Sequence, residues 1–151
     1  MPAGKNNPIP GEIVSSRLLP ATREAVFAAF RDPARLARWW GPKGFTNTFH
    51  EFDFRPGGLW RFTMRGPDGA AYEMDKQFTE ITRPERIVLC HSQQTHDFIL
   101  TMTFAARDGC TELTWTMRFI DPAEGEKVRP FVVPANEQNF DRLTAHLAAT
   151  P

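Results

Sequence analysis

With 151 residues the chain can bury one sizeable hydrophobic core and is short for two, so it is read as one domain. Its 18 Lys and Arg balance its 18 Asp and Glu, which excludes the electrostatic footprint of a general nucleic-acid or anionic-membrane binder and leaves recognition to shape. The longest apolar run, Ala25 to Phe30, falls far short of the roughly 20 residues that cross a bilayer. Residues 1–11 carry prolines and asparagines without an apolar stretch, so no secretion signal is read. The expectation is a cytoplasmic protein with a flexible arm over 1–11 and a single folded domain over 12–150.

Glu12 to Leu19 has the alternation of a first strand, stopped by Pro20. Thr22 can cap a helix whose first turn holds Glu24 and whose buried stripe is Val26, Phe27 and Phe30. Asp32-Pro33 repeats that start signal for a second short helix carrying Leu36, Trp39 and Trp40, ended by Gly41-Pro42. Trp39 and Trp40 are adjacent, so a helix through both would bury only one fully.

From Thr46 the period changes to two. His50, Phe52 and Phe54 share one side of the next strand on unbroken alternation. After the Arg55-Pro56-Gly57-Gly58 turn, Trp60, Phe62 and Met64 share a face, with Arg61, Thr63 and Arg65 opposite. The Gly66-Pro67-Asp68-Gly69 turn leads into Ala71 to Ile81, where Tyr72, Met74 and Phe78 are in phase and Lys76 interrupts them. Two further strands follow, Arg86 to Ser92 and, after the break at Thr95-His96-Asp97, one carrying Phe98, Leu100, Met102 and Phe104. Asp108-Gly109 turns the chain into the last strand, with Leu113, Trp115, Met117 and Phe119 on one side. Cys90 and Cys110 then lie two strands apart, about 9–10 Å, beyond the reach of a disulfide. After Asp121-Pro122 a helical period returns with Phe140, Leu143 and Leu147. Pro130 and Pro134 place its regular part from about Pro134, with 123–133 loose or kinked, since an interior proline costs about 3 kcal/mol.

The fold so predicted is α+β: a curved antiparallel sheet of seven strands wrapped around a long C-terminal helix, with two short helices between strands 1 and 2. The aromatic face of the sheet is much wider than the stripe of the one helix able to cover it. That mismatch predicts an apolar cavity, lined by Trp40, Phe52, Trp60, Phe62, Met74, Phe78, Phe98, Met102, Trp115 and Phe140, unless these side chains interlock as solid core. An open sheet also leaves strand edges, which allows a homodimer.

The order Ala21-Thr22-Arg23-Glu24-Ala25-Val26-Phe27, Asp32-Pro33, Trp39-Trp40-Gly41-Pro42, Asp53-Phe54-Arg55-Pro56-Gly57-Gly58, Gly66-Pro67-Asp68-Gly69, Pro84-Glu85-Arg86-Ile87 and Phe140 to Leu147 resembles the Hsp90-activator-homologue branch of the START-like superfamily over residues 12–149. The resemblance implies a helix-grip fold with a cavity for lipids, hormones or polyketides, in a few members with cyclisation or hydration chemistry. Two departures stand out: Lys76, where such proteins usually carry glycine, and Asn136, where they often carry tryptophan. A bulge at Lys76 would turn it to solvent; without one it joins Asn136 as a polar group at the cavity.

No catalytic motif is present. His50-Glu51 lacks the second histidine of a zinc-protease helix and lies in a strand, and there is no Cys-x-x-Cys pair, phosphate loop or Gly-x-Ser-x-Gly elbow, so neither metal nor cofactor is expected. His50, His91 and Tyr72 are the titratable residues whose parity could bring them to the cavity, where they would polarise a carbonyl or move a proton. Three readings follow: a binder of a small apolar molecule such as a lipid, sterol or aromatic polyketide; a cyclase or hydratase using His50, His91 and Tyr72; and an Hsp90-related interaction module.

Overall fold

The computed structural model describes residues 9–91 and 97–149. Most of the arm expected over 1–11, the end of the fifth strand at Ser92 and the break at Thr95-His96 lie outside them. Strand β1 (Glu12–Leu19) is followed by helices α1 (Arg23–Arg31) and α2 (Pro33–Trp39), strands β2 (Thr46–Phe52), β3 (Leu59–Arg65), β4 (Ala71–Thr82), β5 (Arg86–His91), β6 (Phe98–Arg107) and β7 (Cys110–Phe119), and helix α3 (Pro122–Ala149). The seven strands form one antiparallel sheet in the order β1-β7-β6-β5-β4-β3-β2. The chain therefore crosses from one edge to the other through α1 and α2, and α3 returns to pack mainly on β1, β7 and α2.

Local chemistry sets the helix starts. Thr22 Oγ1 accepts the Ala25 N–H at 3.2 Å, and Asp32 Oδ1 accepts that of Ala34 at 3.0 Å with Pro33 at the first helical position. Each such cap is worth about 1 kcal/mol. The chain enters β1 through Gly11, which is buried at φ 77°; a Cβ there would lie 2.6 Å from the Cα of Pro122 at the start of α3. Its N–H donates to Glu126 Oε2 at 2.8 Å, so this end of the expected arm is fixed to the helix. Arg17 clamps β1 to the same helix, with Nη2 2.9 Å from Glu137 Oε1, Nη1 3.0 Å from Asp141 Oδ1, and its guanidinium 5.6 Å from the centre of the Phe140 ring.

Three expectations are corrected and one open alternative is decided. Helix α3 is continuous over 28 residues. Pro130 and Pro134 both stand on its exposed side, where solvent can satisfy the carbonyls one turn back that lose their N–H partner. Trp39 and Trp40 are both buried, because α2 ends between them: Trp40 takes an extended conformation at φ −67°, ψ 135°, which frees its side chain from the helical direction.

The third correction concerns β2. Phe49 pairs with Phe62 and Phe52 with Trp60, so His50 is the extra residue of a bulge and leaves the core face. Its Nε2 lies 2.7 Å from Thr63 Oγ1 on the outer side of the sheet, with half of its side chain exposed. The alternative left open at Lys76 is decided by the bulge in β4, which falls between Phe78 and Glu80, beyond Lys76. Lys76 therefore keeps the inward phase, between Trp60 on β3 and His91 on β5, and is only 5% exposed.

Candidate functional site

Aromatic packing fills most of the concave face. Trp40 reaches across from the end of α2, its rings 5.0 Å from those of Trp60 and 5.2 Å from those of Trp115, while Phe49, Phe52, Phe54 and Phe78 form a contiguous group on the β2–β4 side. What remains is a cavity of about 130 Å³ under the middle of α3. Its walls are Trp40–Pro42, Met64 on β3, Met74 and Lys76 on β4, Phe98 and Leu100 on β6, Trp115 and Met117 on β7, and Ala135, Asn136 and Asn139 on α3.

Of the residues expected at the cavity, Trp40, Met74, Lys76, Phe98, Trp115 and Asn136 line it. Phe52, Trp60, Phe62, Phe78, Met102 and Phe140 are instead core packed around it. The three residues offered for acid–base chemistry do not converge. His50 is on the outer face, Tyr72 is 48% exposed with its ring 6.3 Å from that of Phe45, and only His91 is buried beside the cavity. The sequence reading missed Asn139, although it stands three residues after Asn136 and thus on the same helix face.

Three polar residues and one indole N–H interrupt the apolar wall. Asn136 Nδ2 donates to Ser15 Oγ at 3.2 Å and weakly to Met117 Sδ at 3.6 Å, which supplies partners for an amide on the helix stripe. Asn139 is 5% exposed and its Oδ1 has no hydrogen-bond partner. Trp115, 2% exposed, has an unpartnered Nε1–H. An unmet buried donor or acceptor costs about 1–3 kcal/mol, so the cavity residues hold one acceptor and one donor that a guest could satisfy.

Lys76 is the third. Its Nζ lies 3.1 Å from His91 Nδ1 and 5.3 Å from the centre of the Phe98 ring, on which His91 stacks at 4.8 Å. No carboxylate pairs with it among the described residues, and burial pushes its amine down to about 7 from an ordinary 10.5. Two positive charges at that separation would repel strongly, so Lys76 and His91 share one proton: the ammonium donates to Nδ1, or the neutral amine accepts from it.

Arg142, not singled out in the sequence, holds the rim. Its Nη1 donates to the carbonyls of Trp40, Gly41 and Pro42 at 3.0–3.2 Å, and Nη2 to that of Arg38 at 2.9 Å, so one guanidinium ties the α2–β2 connection to α3. Arg142→Met is expected to destabilise the fold by about 2–3 kcal/mol, since it removes charged hydrogen bonds and frees Trp40–Pro42. Urea denaturation followed by tryptophan fluorescence reads this; a loss within experimental error would show that the rim is held by the aromatic stack alone.

These features define a helix-grip domain whose small cavity is apolar except for a lysine and two asparagines. Residues 20–148 match the family described as Activator of Hsp90 ATPase homolog 1-like protein, and the chain belongs to that family. Similar solved structures include a protein from Nitrosomonas europaea, 17% identical with a TM-score of 0.85 over 96% of this chain and 100% of that one. A protein from Chromobacterium violaceum is 26% identical with a TM-score of 0.78 over 92% and 98% of the two chains. An AHSA1 protein from Silicibacter pomeroyi is 21% identical with a TM-score of 0.74 over 93% and 99%. No curated protein matches the chain.

Proposed function

We propose that the chain binds one compact molecule in the cavity under α3: an apolar ring or short chain with an oxygen acceptor at one end. The observation that carries this reading is a buried lysine, without a carboxylate partner among the described residues, in the wall of a cavity of about 130 Å³. A lysine so placed is costly unless something accepts its hydrogen bonds, and the unpartnered Trp115 N–H is a second unmet donor among the residues that line the cavity. Volume narrows the ligand class from the lipids, sterols and polyketides expected of the fold. An apolar cavity of about 150 Å³ holds one benzene ring, so a ring of that size fits the space here and a sterol does not.

Benzyl alcohol and benzaldehyde serve as probes, because Trp40 and Trp115 line the cavity and report on its contents. Saturable changes in tryptophan emission are expected, with dissociation constants of about 1 mM or below. A linear, unsaturated response to both would remove the proposal.

A further inference from the structure

We infer that Lys76 is a carbonyl-reactive amine, which condenses with the aldehyde or ketone carbon of a compact ligand in the cavity to form an imine. This rests on the ligand-binding reading above and specifies the chemical class of its acceptor end. Buried lysines are ordinarily paired with a carboxylate, which holds the proton on nitrogen and makes the amine inert. Lys76 has instead an imidazole nitrogen at 3.1 Å and an aromatic ring at 5.3 Å. Its cross-strand neighbour on β3 is Trp60, and α3 presents Asn136 and Asn139 to the cavity, all without charge. Desolvation, with no compensating anion among the described residues, leaves about half of the amine without its proton at neutral pH, so its lone pair is available.

The reaction needs no further reagent. The Nζ lone pair forms a bond to the carbonyl carbon while the C=O π pair moves to oxygen. Nζ gives up one proton to His91 Nδ1, which passes it to the oxygen to make the hydroxyl of a carbinolamine. The second Nζ proton, carried the same way, joins that hydroxyl, which leaves as water as the nitrogen lone pair closes the C=N bond. His91 is here a proton acceptor and donor at the reacting nitrogen, a role its Nδ1 can fill only in the tautomer that leaves this atom free. The apolar walls favour loss of water from the carbinolamine.

The test treats the whole chain with benzaldehyde and cyanoborohydride, follows intact mass, and maps the modified peptide. One benzyl group on Lys76 is expected, formed about tenfold or more faster than on the exposed Lys43 and Lys127 and slowed by benzyl alcohol, which binds but has no carbonyl. Lys76→Met should lose the adduct and bind benzyl alcohol more weakly, and His91→Phe should bind it while forming the adduct more slowly. Saturable binding of benzyl alcohol with Lys76 modified no faster than Lys43 and Lys127 overturns the imine and leaves the binding reading intact. Absence of both binding and modification overturns the two together.

Discussion

Lys76→Met is expected to stabilise the fold at neutral and mildly acidic pH. The amine falls from an ordinary 10.5 to about 7 on burial, a cost to the folded state of about 5 kcal/mol below that value. Methionine removes this cost and keeps the apolar stem, while the lost Lys76–His91 hydrogen bond costs about 1–3 kcal/mol, so a net gain of about 2–4 kcal/mol is expected at about pH 6. The sign reverses with pH. Between about 7 and 10.5 the unfolded chain holds the proton that the folded chain has released, so stability of the unaltered protein rises through this window. Above it the lysine is neutral in both states, and the unaltered protein should equal or exceed the variant. Urea denaturation of both proteins across this range measures the difference. Parallel stability curves would show that Lys76 is not desolvated in solution.

Trp40→Ala is expected to cost about 3–5 kcal/mol, the usual loss for a buried tryptophan. The residue is 5% exposed and bridges three other tryptophans, with ring centres 5.0 Å from Trp60, 5.2 Å from Trp115 and 5.7 Å from Trp39. Its removal also joins the vacated volume to the cavity, whose wall it forms. The variant should then bind fused two-ring compounds such as naphthol that the unaltered protein excludes. Calorimetry and fluorescence titration test the two consequences separately. A variant that loses stability without accepting a larger ring would mean that α3 has collapsed into the gap.

What could be read from the residues was what depends on near neighbours. Thr22 and Asp32-Pro33 fix helix starts because a cap is completed within three residues, and strands β3 and β7 follow strict alternation because neither carries an extra residue of its own. The seven antiparallel strands, the two helices between β1 and β2 and the covering C-terminal helix all followed from such signals in order. So did the separation of Cys90 from Cys110, which lie on β5 and β7 with β6 between them.

Alternation could not place His50, because a single extra residue in β2 is a property of its pairing with β3; once present, it exchanges His50 for Phe49 on the core face. For the same reason alternation leaves Lys76 either turned outward by a bulge or facing the cavity, and the β4 bulge past Phe78 keeps it inside. The cavity's existence followed from a wide aromatic sheet under a narrow helix. Its volume did not, since that depends on Trp40 leaving the helical direction and filling the space between Trp60 and Trp115. Sequence by itself determined which elements form and in what order, because hydrogen bonds and hydrophobic period act over a few residues. Only the tertiary structure decided which polar groups face the interior and how much room they have, because one bulge or one rotated tryptophan, set by contacts far along the chain, reassigns them.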